Sequence, residues 1–228
     1  MRIVSWNCNM GFAKKREVVM DLRPDIVILQ ECSFKDIERT EAPFKHWVGF
    51  NKHKGLAIIG FADHEYHIDG SYAEEWPWFI PLRIDDVPLH IVGIWACVIN
   101  QRMRYVRVTH KAVDHYATFL SLQNAMIIGD FNSNTIWDTN HRQLSHSKLV
   151  EKLDGIGLVS VYHTLRGEIQ GKELTPTQFM YRNISKPYHL DFVFVSKTLS
   201  CSCELSIGEP SEWISRSDHM PLILTVSV

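Results

Sequence analysis

Short apolar runs that end at a polar or acidic residue recur along the chain. Residues 25–31 read Asp-Ile-Val-Ile-Leu-Gln-Glu, and residues 125–130 read Ala-Met-Ile-Ile-Gly-Asp. Because these runs are β-branched and do not alternate with polar residues, they predict strands that are buried on both faces. The same pattern predicts further strands at residues 56–61, 89–98, 189–195 and 221–228.

Three segments show the spacing of a helix with one apolar face. Residues 14–22 form the first and end before Pro24, residues 107–122 form the second, and residues 146–154 form the third, before Gly155 and Gly157. Strands therefore alternate with helices early, whereas the end of the chain is mostly strand. This mixture favours a layered α/β fold (α+β) with mixed sheets over a purely parallel sheet.

Length and composition indicate one domain over residues 1–228. A chain of 228 residues with 45% hydrophobic residues can bury a sizeable core. No Pro, Gly or Ser-rich linker divides it, and no repeat of 20–50 residues is present, which excludes solenoids and propellers. We expect a single domain and a monomer.

The number of cysteines and the N-terminal residues predict the cellular compartment. The five cysteines are odd in number, and most lie in apolar runs, which is typical of free thiols in a reducing environment. The apolar residues Ile3 and Val4 follow almost at once after Met1, without a signal-peptide pattern, and no apolar run approaches the ~20 residues of a membrane span. We expect a cytoplasmic protein with no membrane span.

The charge balance limits how the protein can bind polyanions. Lys and Arg total 24 and Asp and Glu total 26, so the net charge is −2 and no global positive field attracts nucleic acid. Any such binding must be local. A basic group either holds a phosphate backbone or forms a solvated helix face; it comprises Arg102, Arg104, Arg107 and Lys111.

Polar side chains cluster at the predicted strand ends. Such ends can converge on a ligand at one rim of a sheet. The segments are 6–9 (Trp-Asn-Cys-Asn), 30–31 (Gln-Glu), 129–134 (Gly-Asp-Phe-Asn-Ser-Asn), 189–191 (His-Leu-Asp) and 217–221 (Ser-Asp-His-Met-Pro).

Carboxylates gathered at one rim repel one another unless a cation neutralises them. Oxygen ligands select Mg²⁺ or Mn²⁺ over zinc, so these side chains together imply a hard divalent metal. His219 paired with Asp191 can stabilise developing charge, and this combination suits phosphoryl transfer. The four carboxylates are Glu31, Asp130, Asp191 and Asp218.

Taken together, these five motifs resemble the endonuclease/exonuclease/phosphatase superfamily, the DNase I-like phosphohydrolases. The resemblance runs from residue 3 to about residue 226, with the motifs in the order of the family. It implies a four-layer α/β sandwich in which helices flank two packed, mixed β-sheets. It also implies hydrolysis of phosphodiesters or phosphomonoesters with Mg²⁺ or Mn²⁺.

The resemblance assigns metal ligands by position. Glu31 is similar to the principal ligand of the family, with Asn7 and Asp218 nearby as direct or water-mediated ligands. Asn9 stands where several nucleases have Asp. We therefore expect one tightly held metal rather than two.

The resemblance also assigns catalytic roles. Asp130 corresponds to the residue that orients or deprotonates the attacking water, and Asn132 to a hydrogen-bond donor to the phosphoryl oxygens. His219, paired with Asp191, corresponds to the stabiliser of the pentavalent phosphorane. Trp95 stands where many members have a Tyr or His at the scissile phosphate. An indole N–H can donate a hydrogen bond, but it has no accessible proton to transfer to a leaving group.

Several other side chains are candidates for substrate contact. Trp95 and Trp137 either stack on bases or pack in the core and loops. Among the histidines other than His219 we expect structural or surface roles, with His163 and His189 the first exceptions. The remaining candidates are Asn9, Arg102, Arg104, Arg182 and Asn183.

The sequence leads to one main functional hypothesis and two alternatives. The main hypothesis is a Mg²⁺-dependent phosphodiesterase, a DNA or RNA nuclease, that works by in-line attack of water on phosphorus. The first alternative is a phosphatase or diesterase for a small phosphate ester or lipid headgroup, which the near-neutral charge favours. The second is a binding protein that lost its chemistry, although every residue of the proposed site is intact.

Overall fold

The structure is a computed structural model that describes residues 1–100, 103–140 and 143–227. Most of the secondary structure in this part lies in two mixed six-stranded sheets. In chain order the strands are β1 (Arg2–Asn7), β2 (Ile26–Cys32), β3 (Phe44–Asn51), β4 (Lys54–Gly60), β5 (Tyr66–Ile68), β6 (Phe79–Ile84), β7 (Leu89–Trp95), β8 (Ala125–Asp130), β9 (Leu158–Ser160), β10 (Gln178–Phe179), β11 (Pro187–Tyr188), β12 (Asp191–Ser196), β13 (Cys203–Ile207) and β14 (Leu222–Val226).

The first sheet has the strand order β13-β14-β1-β2-β4-β3. Strands β1 and β2 are parallel, and the other neighbours are antiparallel. The apolar runs of β1 and β2 are buried because both faces of these central strands are covered. Parallel pairing places Asn7 beside Gln30, so both strands end at the same edge of the sheet.

The second sheet has the order β5-β6-β7-β8-β12-β9, and only β7 and β8 are parallel among these described neighbours. The register pairs Asp130 with Trp95 on one side and with Asp191 on the other. These three residues form a row across the end of the sheet.

The two sheets pack face to face around one large apolar core. The sheets approach closely at Gly93 of β7, where an added Cβ would lie 3.1 Å from the side chains of Ile28 and Ile58 of the first sheet. A second apolar cluster lies on the outer face of the first sheet and includes Val27 and Leu29.

Helices cover the outer faces of both sheets. Val19, Ile37 and Trp213 from three of them pack in the outer cluster of the first sheet, and others contact β7, β8 and β9 of the second. The four-layer sandwich predicted above is thereby confirmed. The helices are α1 (Arg16–Met20), α2 (Phe34–Glu38), α3 (Val106–His115), α4 (Ala117–Leu120), α5 (His146–Gly155), α6 (Val161–Arg166), α7 (Lys197–Ser200) and α8 (Pro210–Trp213).

The predicted helices differ from the observed ones at their ends. The segment 107–122 breaks into α3 and α4, because Tyr116 leaves helical geometry at φ −88° and ψ 11°. The segment 14–22 begins with a 3₁₀ turn at Phe12–Lys14 before α1. The third prediction agrees closely with α5, where the Ser145 side chain accepts a hydrogen bond from the Lys148 backbone and caps the helix.

The five cysteines are free, as the sequence predicts. Cys8, Cys32 and Cys203 are buried, and burial raises the pKa of Cys8 to about 12, which keeps that thiol protonated at neutral pH. In the part of the chain that is described, no helix has the length and apolar character needed to cross a bilayer.

Candidate active site

The ends of the central strands of both sheets meet at one edge of the sandwich. Asn7 ends β1 in the first sheet, and Asp130 ends β8 in the second. The Asn7 side chain bridges the sheets, because its Nδ2 donates to Asp130 Oδ2 at 3.0 Å. The carboxyl ends of buried strands therefore converge on one point, as expected for a ligand site in an α/β fold.

Asp130 is fully buried and surrounded by hydrogen-bond donors. The backbone N–H of Asn132 donates to its Oδ1 at 2.9 Å, and the side-chain Nδ2 of Asn132 donates to its Oδ2 at 2.9 Å. That Nδ2 also donates to the Ala96 carbonyl at 3.0 Å. Both N–H groups of the Asn132 amide are thus used to hold Asp130 and the end of β7. Asn132 adopts φ 46°, a left-handed conformation that asparagine tolerates.

The residue before Asp130 has to be glycine. Gly129 has φ +146°, and a Cβ there would collide with the Ile94 carbonyl and lie 3.0 Å from Gln30 Nε2. The Gln30 amide crosses between the sheets and donates to the Ile94 carbonyl at 3.1 Å. The motif Gly-Asp-x-Asn therefore packs against the opposite sheet as well as forming the site.

The His219 imidazole lies against Asp191, with Nδ1 2.9 Å from Oδ2 and both side chains buried. Desolvation lowers the pKa of His219, but the charges of Asp191 and Asp130 outweigh it and raise that pKa to about 10. Burial raises the pKa of Asp130 to about 7; His219 opposes that rise and Asp191 adds to it. One ligand atom from each of the three residues lies within 4.8 Å of the others, so they act as one charged group.

The loop that carries His219 is fixed to β1. Ser217 Oγ donates to the Asn7 carbonyl at 2.7 Å and accepts from the His219 backbone at 3.1 Å. The Trp6 indole donates to the His219 carbonyl at 2.8 Å. Thr177 fixes the backbone at Asp191 in a similar way, because its Oγ1 accepts hydrogen bonds from the backbone N–H groups of Leu190 and Asp191.

Asp218, in the same loop, is held by two side-chain amides. Its Oδ1 accepts from Asn9 Nδ2 at 2.9 Å, and its Oδ2 accepts from Gln178 Nε2 at 3.3 Å. Asn9 has φ 46°, and its backbone N–H donates to Asn7 Oδ1. The residues predicted to hold metal at this side, Asn7 and Asp218, are therefore linked through Asn9.

Glu31 projects from a β-bulge. Gln30 pairs with Leu56 and Cys32 pairs with Gly55, which leaves Glu31 as the extra residue with φ 59°. The bulge turns its carboxylate away from the sheet. Lys54 forms an ion pair with its Oε2 at 2.8 Å. Glu31 and Asp218 do not join the trio of Asp130, Asp191 and His219 within 4.8 Å.

The donor set fits a hard divalent cation. Glu31 and Asp218 offer carboxylate oxygens, and Asn7 offers an amide oxygen at the edge where several negative charges converge. Mg²⁺ and Mn²⁺ prefer such oxygen ligands, and a cation would relieve the repulsion among the carboxylates. Thiolate or imidazole ligation of the kind zinc prefers is not offered by these three residues.

A cavity of about 360 Å³ opens beside Asn132. His146 Nε2 and Gln178 Oε1, from two of its lining residues, are buried without a hydrogen-bond partner in the described structure. Trp137 lines it and packs its ring 5.4 Å from that of Tyr188, so the predicted tryptophan does lie beside the site. Other lining residues include Tyr105, Ser133, Met180 and Leu190.

The remaining predicted contact residues vary in their position. Trp95 is buried at the site, with its ring 5.0 Å from that of Trp78. The Arg182 guanidinium donates to the carbonyls of Ser215 and Arg216, and the Asn183 side chain accepts from the Ser185 backbone. Arg104 lies over the Tyr105 ring at 5.7 Å. Arg102 lies outside the described residues.

Sequence reasoning did not find Lys54 or His146. Lys54 begins β4 and Glu31 lies in β2, and no spacing along the chain indicates that these two strands pair. His146 reads as the first residue of an amphipathic helix, and only the packing shows that it lines the cavity.

Comparisons with known proteins agree with the fold. The model of the Endonuclease/Exonuclease/phosphatase family matches residues 4–219. The 3′ phosphatase NExo from Neisseria, solved with a product DNA hairpin, is 17% identical with a TM-score of 0.74, and each chain is covered to 100%. An AP endonuclease from Archaeoglobus fulgidus is 16% identical with a TM-score of 0.72 and the same coverage. No curated protein matches the sequence significantly.

Proposed function

Because the chain belongs to the endonuclease/exonuclease/phosphatase family and is therefore a phosphoric ester hydrolase, we propose that it is a Mg²⁺-dependent (or Mn²⁺-dependent) phosphodiesterase of nucleic acid. The observation that carries this proposal is the buried trio of Asp130, Asp191 and His219, placed where the two sheets converge. The trio joins a basic carboxylate to a protonated imidazole, and this combination fits water attack on phosphorus.

Glu31 would hold the metal ion, with Asn7 and Asp218 as direct or water-mediated ligands. When bound, the ion supplies charge neutralisation at the phosphoryl oxygens and a fixed position for the substrate. Asn7 also donates to Asp130, so one residue couples the metal side of the site to the water side.

Asp130 would accept the proton of the attacking water and orient it in line with the leaving oxygen. Asn7 and the backbone of Asn132 hold its carboxylate at 3.0 Å and 2.9 Å, which fixes its direction before substrate arrives. Donation from the Asn132 amide to the phosphoryl oxygen stays a prediction. The hydrogen bonds support a role in holding Asp130.

His219 would stabilise the negative charge that develops on the phosphorane. Asp191 holds the ring at Nδ1 and keeps the imidazole protonated, so the positive charge is in place before the transition state forms. The Ser217 and Trp6 contacts fix the backbone of His219, and this limits the reorganisation needed during reaction.

The choice of nucleic acid rests on the neighbours in fold. NExo was solved with a product DNA hairpin, and the archaeal neighbour is an AP endonuclease. A small phosphate ester is the second candidate, because the net charge of −2 gives no broad basic face and the cavity beside Asn132 is about 360 Å³.

The test is Mg²⁺-dependent turnover of supercoiled plasmid, single-stranded DNA, a 3′-phosphorylated DNA hairpin, RNA and aryl phosphate esters. Asp130→Ala and His219→Ala should abolish cleavage of a polymer that the wild-type protein cleaves. Asp63→Ala and His67→Ala are matched controls on the surface and should retain it. Turnover of the aryl esters alone would establish the second candidate, and turnover of none would refute the proposal.

A further inference from the structure

Lys54 is the first residue of β4, one residue before the point at which β4 pairs with the bulged segment of β2 that carries Glu31. Its neighbour Gly55 pairs with Cys32 of β2, and Glu31 is the unpaired residue between Gln30 and Cys32. The lysine side chain therefore begins beside the point where Glu31 leaves the sheet. This placement follows from the antiparallel pairing of β2 with β4.

Two contacts locate the Lys54 ammonium. Nζ lies 2.8 Å from Glu31 Oε2 and 5.5 Å from the centroid of the Trp95 ring. Trp95 pairs with Asp130 in the sheet register. Both contacts therefore place the ammonium at the mouth of the site, between the proposed metal ligand and the strand end that carries Asp130.

The Cys97 thiol lies near the same three charged groups. Burial raises its pKa, the charges of Asp130 and Glu31 raise it further, and Lys54 lowers it. The Cys97 thiol is therefore close enough to interact electrostatically with the Lys54 ammonium and with the carboxylates of Asp130 and Glu31.

The ammonium of Lys54 remains available to a ligand. The side chain is 42% exposed, and within the described residues Glu31 is its one polar partner, whereas an ammonium has three N–H donors. Lys15 differs, because its Nζ is bonded to the carbonyls of Cys8 and Met10 and also lies near that of Asn9. Lys15 therefore holds the loop after β1, and Lys54 is free to contact a substrate.

An anionic substrate that approaches this site meets several carboxylates, so it needs compensating positive charge at the entrance. Trp95 presents a ring to the ammonium, and an ammonium over an indole ring is stabilised by the ring quadrupole. The Glu31 carboxylate and the Trp95 ring together hold the charge at one place without covering it.

We propose that Lys54 is a further catalytic residue, whose ammonium binds a non-bridging oxygen of the substrate phosphate beside Glu31. This inference rests on the proposed function, since it assigns a phosphate to the same site. The pairing of Lys54 with Trp95 supplies the positively charged donor that the indole alone lacks.

The experiment measures two affinities by calorimetry, that of Mn²⁺ for the protein and that of inorganic phosphate for the Mn²⁺-loaded protein. Lys54→Met should weaken phosphate binding about tenfold or more, because a charge-assisted hydrogen bond is lost. It should leave Mn²⁺ binding equal or tighter, because a repelling cation has been removed. Lys54→Arg should recover most of the phosphate affinity.

Lys52→Met is the matched control. Lys52 lies on the same hairpin, with its Nζ 5.8 Å from the Phe34 ring, and should not contribute to phosphate affinity. The inference is overturned if Lys54→Met weakens Mn²⁺ binding and leaves phosphate binding unchanged, since Lys54 would then only orient Glu31. Equal effects of Lys52→Met and Lys54→Met would also overturn it.

The two proposals fail in different ways. If the wild-type protein hydrolyses nucleic acid and Lys54→Met keeps the wild-type kcat/KM and phosphate affinity, then the role of Lys54 is wrong and the proposed function stands. If the wild-type protein hydrolyses no substrate of the panel, the proposed function is wrong, whereas the affinities still report whether Lys54 binds phosphate.

Discussion

Among the described residues, the buried pair of His219 and Asp191 differs in its surroundings from the largely buried pair of His163 and Glu173. His219 lies 2.9 Å from Asp191, and His163 lies 3.1 Å from Glu173. Next to the first pair lies another buried carboxylate, Asp130. Structural hydrogen bonds surround the second pair instead: Glu173 accepts from the Gly171 backbone and from the Asn134 side chain.

The shift in pKa appears on a different partner in each pair. In the first pair the histidine is affected: the charges of Asp191 and Asp130 overcome burial and raise the pKa of His219 to about 10. In the second pair the acid is affected: burial is overcome by the His163 and backbone hydrogen bonds, which lower the pKa of Glu173 to about 2. A histidine beside a carboxylate thus supplies a cation at neutral pH in one place and an anion in the other.

The comparison indicates what makes such a pair suited to catalysis. The first pair keeps a protonated imidazole where the strand ends converge, next to a candidate metal site, and a reaction can use its charge there. In the second pair, Glu173 accepts hydrogen bonds from the segment that contains Gly171 and from Asn134 in the loop after β8. These bonds stabilise the fold. A histidine beside a carboxylate therefore indicates a catalytic site only when the other groups that contact the pair are also considered.

The largest expected effect follows from removing the charge of the first pair. Asp191→Asn should lower kcat/KM by about 10²–10⁴, because neutral His219 no longer stabilises the phosphorane. Glu173→Gln, the same change of acid to amide in the second pair, should leave kcat/KM within about threefold. Steady-state turnover of the substrate found in the panel measures both. Equal losses in the two variants would show that the pairs do not differ as argued.

The next largest effect concerns the contribution of the second pair to stability. Glu173→Gln should lower the free energy of unfolding by about 3 kcal/mol, because it removes the charge of the pair with His163 and replaces one of the two carboxylate oxygens that accept from Gly171 and Asn134 by an amide NH₂. Urea unfolding at pH 7 followed by circular dichroism measures the change. An unchanged midpoint would mean that the Glu173 hydrogen bonds contribute nothing to the fold.

The pH dependence of the unfolding free energy provides a control for the Glu173→Gln variant. The pKa of Glu173 is about 2 in the folded protein and close to 4.5 in the unfolded chain, so the ionised carboxylate stabilises the fold above pH 4.5. This stabilisation is lost as the pH falls from 4.5 toward 2. The difference in unfolding free energy between the wild type and Glu173→Gln should therefore shrink over this interval. A constant difference would contradict the assigned pKa.

The sequence predicts the convergence of the strand ends well because local patterns encode it. Each buried apolar run stops at a polar residue, and the motifs of Asp130, Asp191 and His219 follow from those runs and from the family resemblance. The register that brings Trp95, Asp130 and Asp191 into one row confirms the layered α/β sandwich.

What the sequence does not encode locally is pairing across long separations. Lys54 meets Glu31 through the pairing of β2 with β4, and Asn134 meets Glu173 across 39 residues. The break at Tyr116 was also missed, because the apolar stripe continues through it and the hydroxyl contacts with Ala73 and the Phe79 carbonyl are tertiary. Contacts of this kind depend on the assembled core rather than on periodicity.

The smallest expected effect comes from the hydroxyl groups behind each pair. Ser160 Oγ lies 2.7 Å from His163 Nδ1, so Ser160→Ala removes one hydrogen bond from the structural pair. We expect about 1 kcal/mol lower unfolding free energy and unchanged kcat/KM. Thr177→Val is its counterpart, since Thr177 Oγ1 accepts from the Leu190 and Asp191 backbones, and it should lower kcat/KM as well. Because each substitution removes a hydroxyl group behind one pair, a loss of kcat/KM in Ser160→Ala equal to that in Thr177→Val would refute the division between the two pairs.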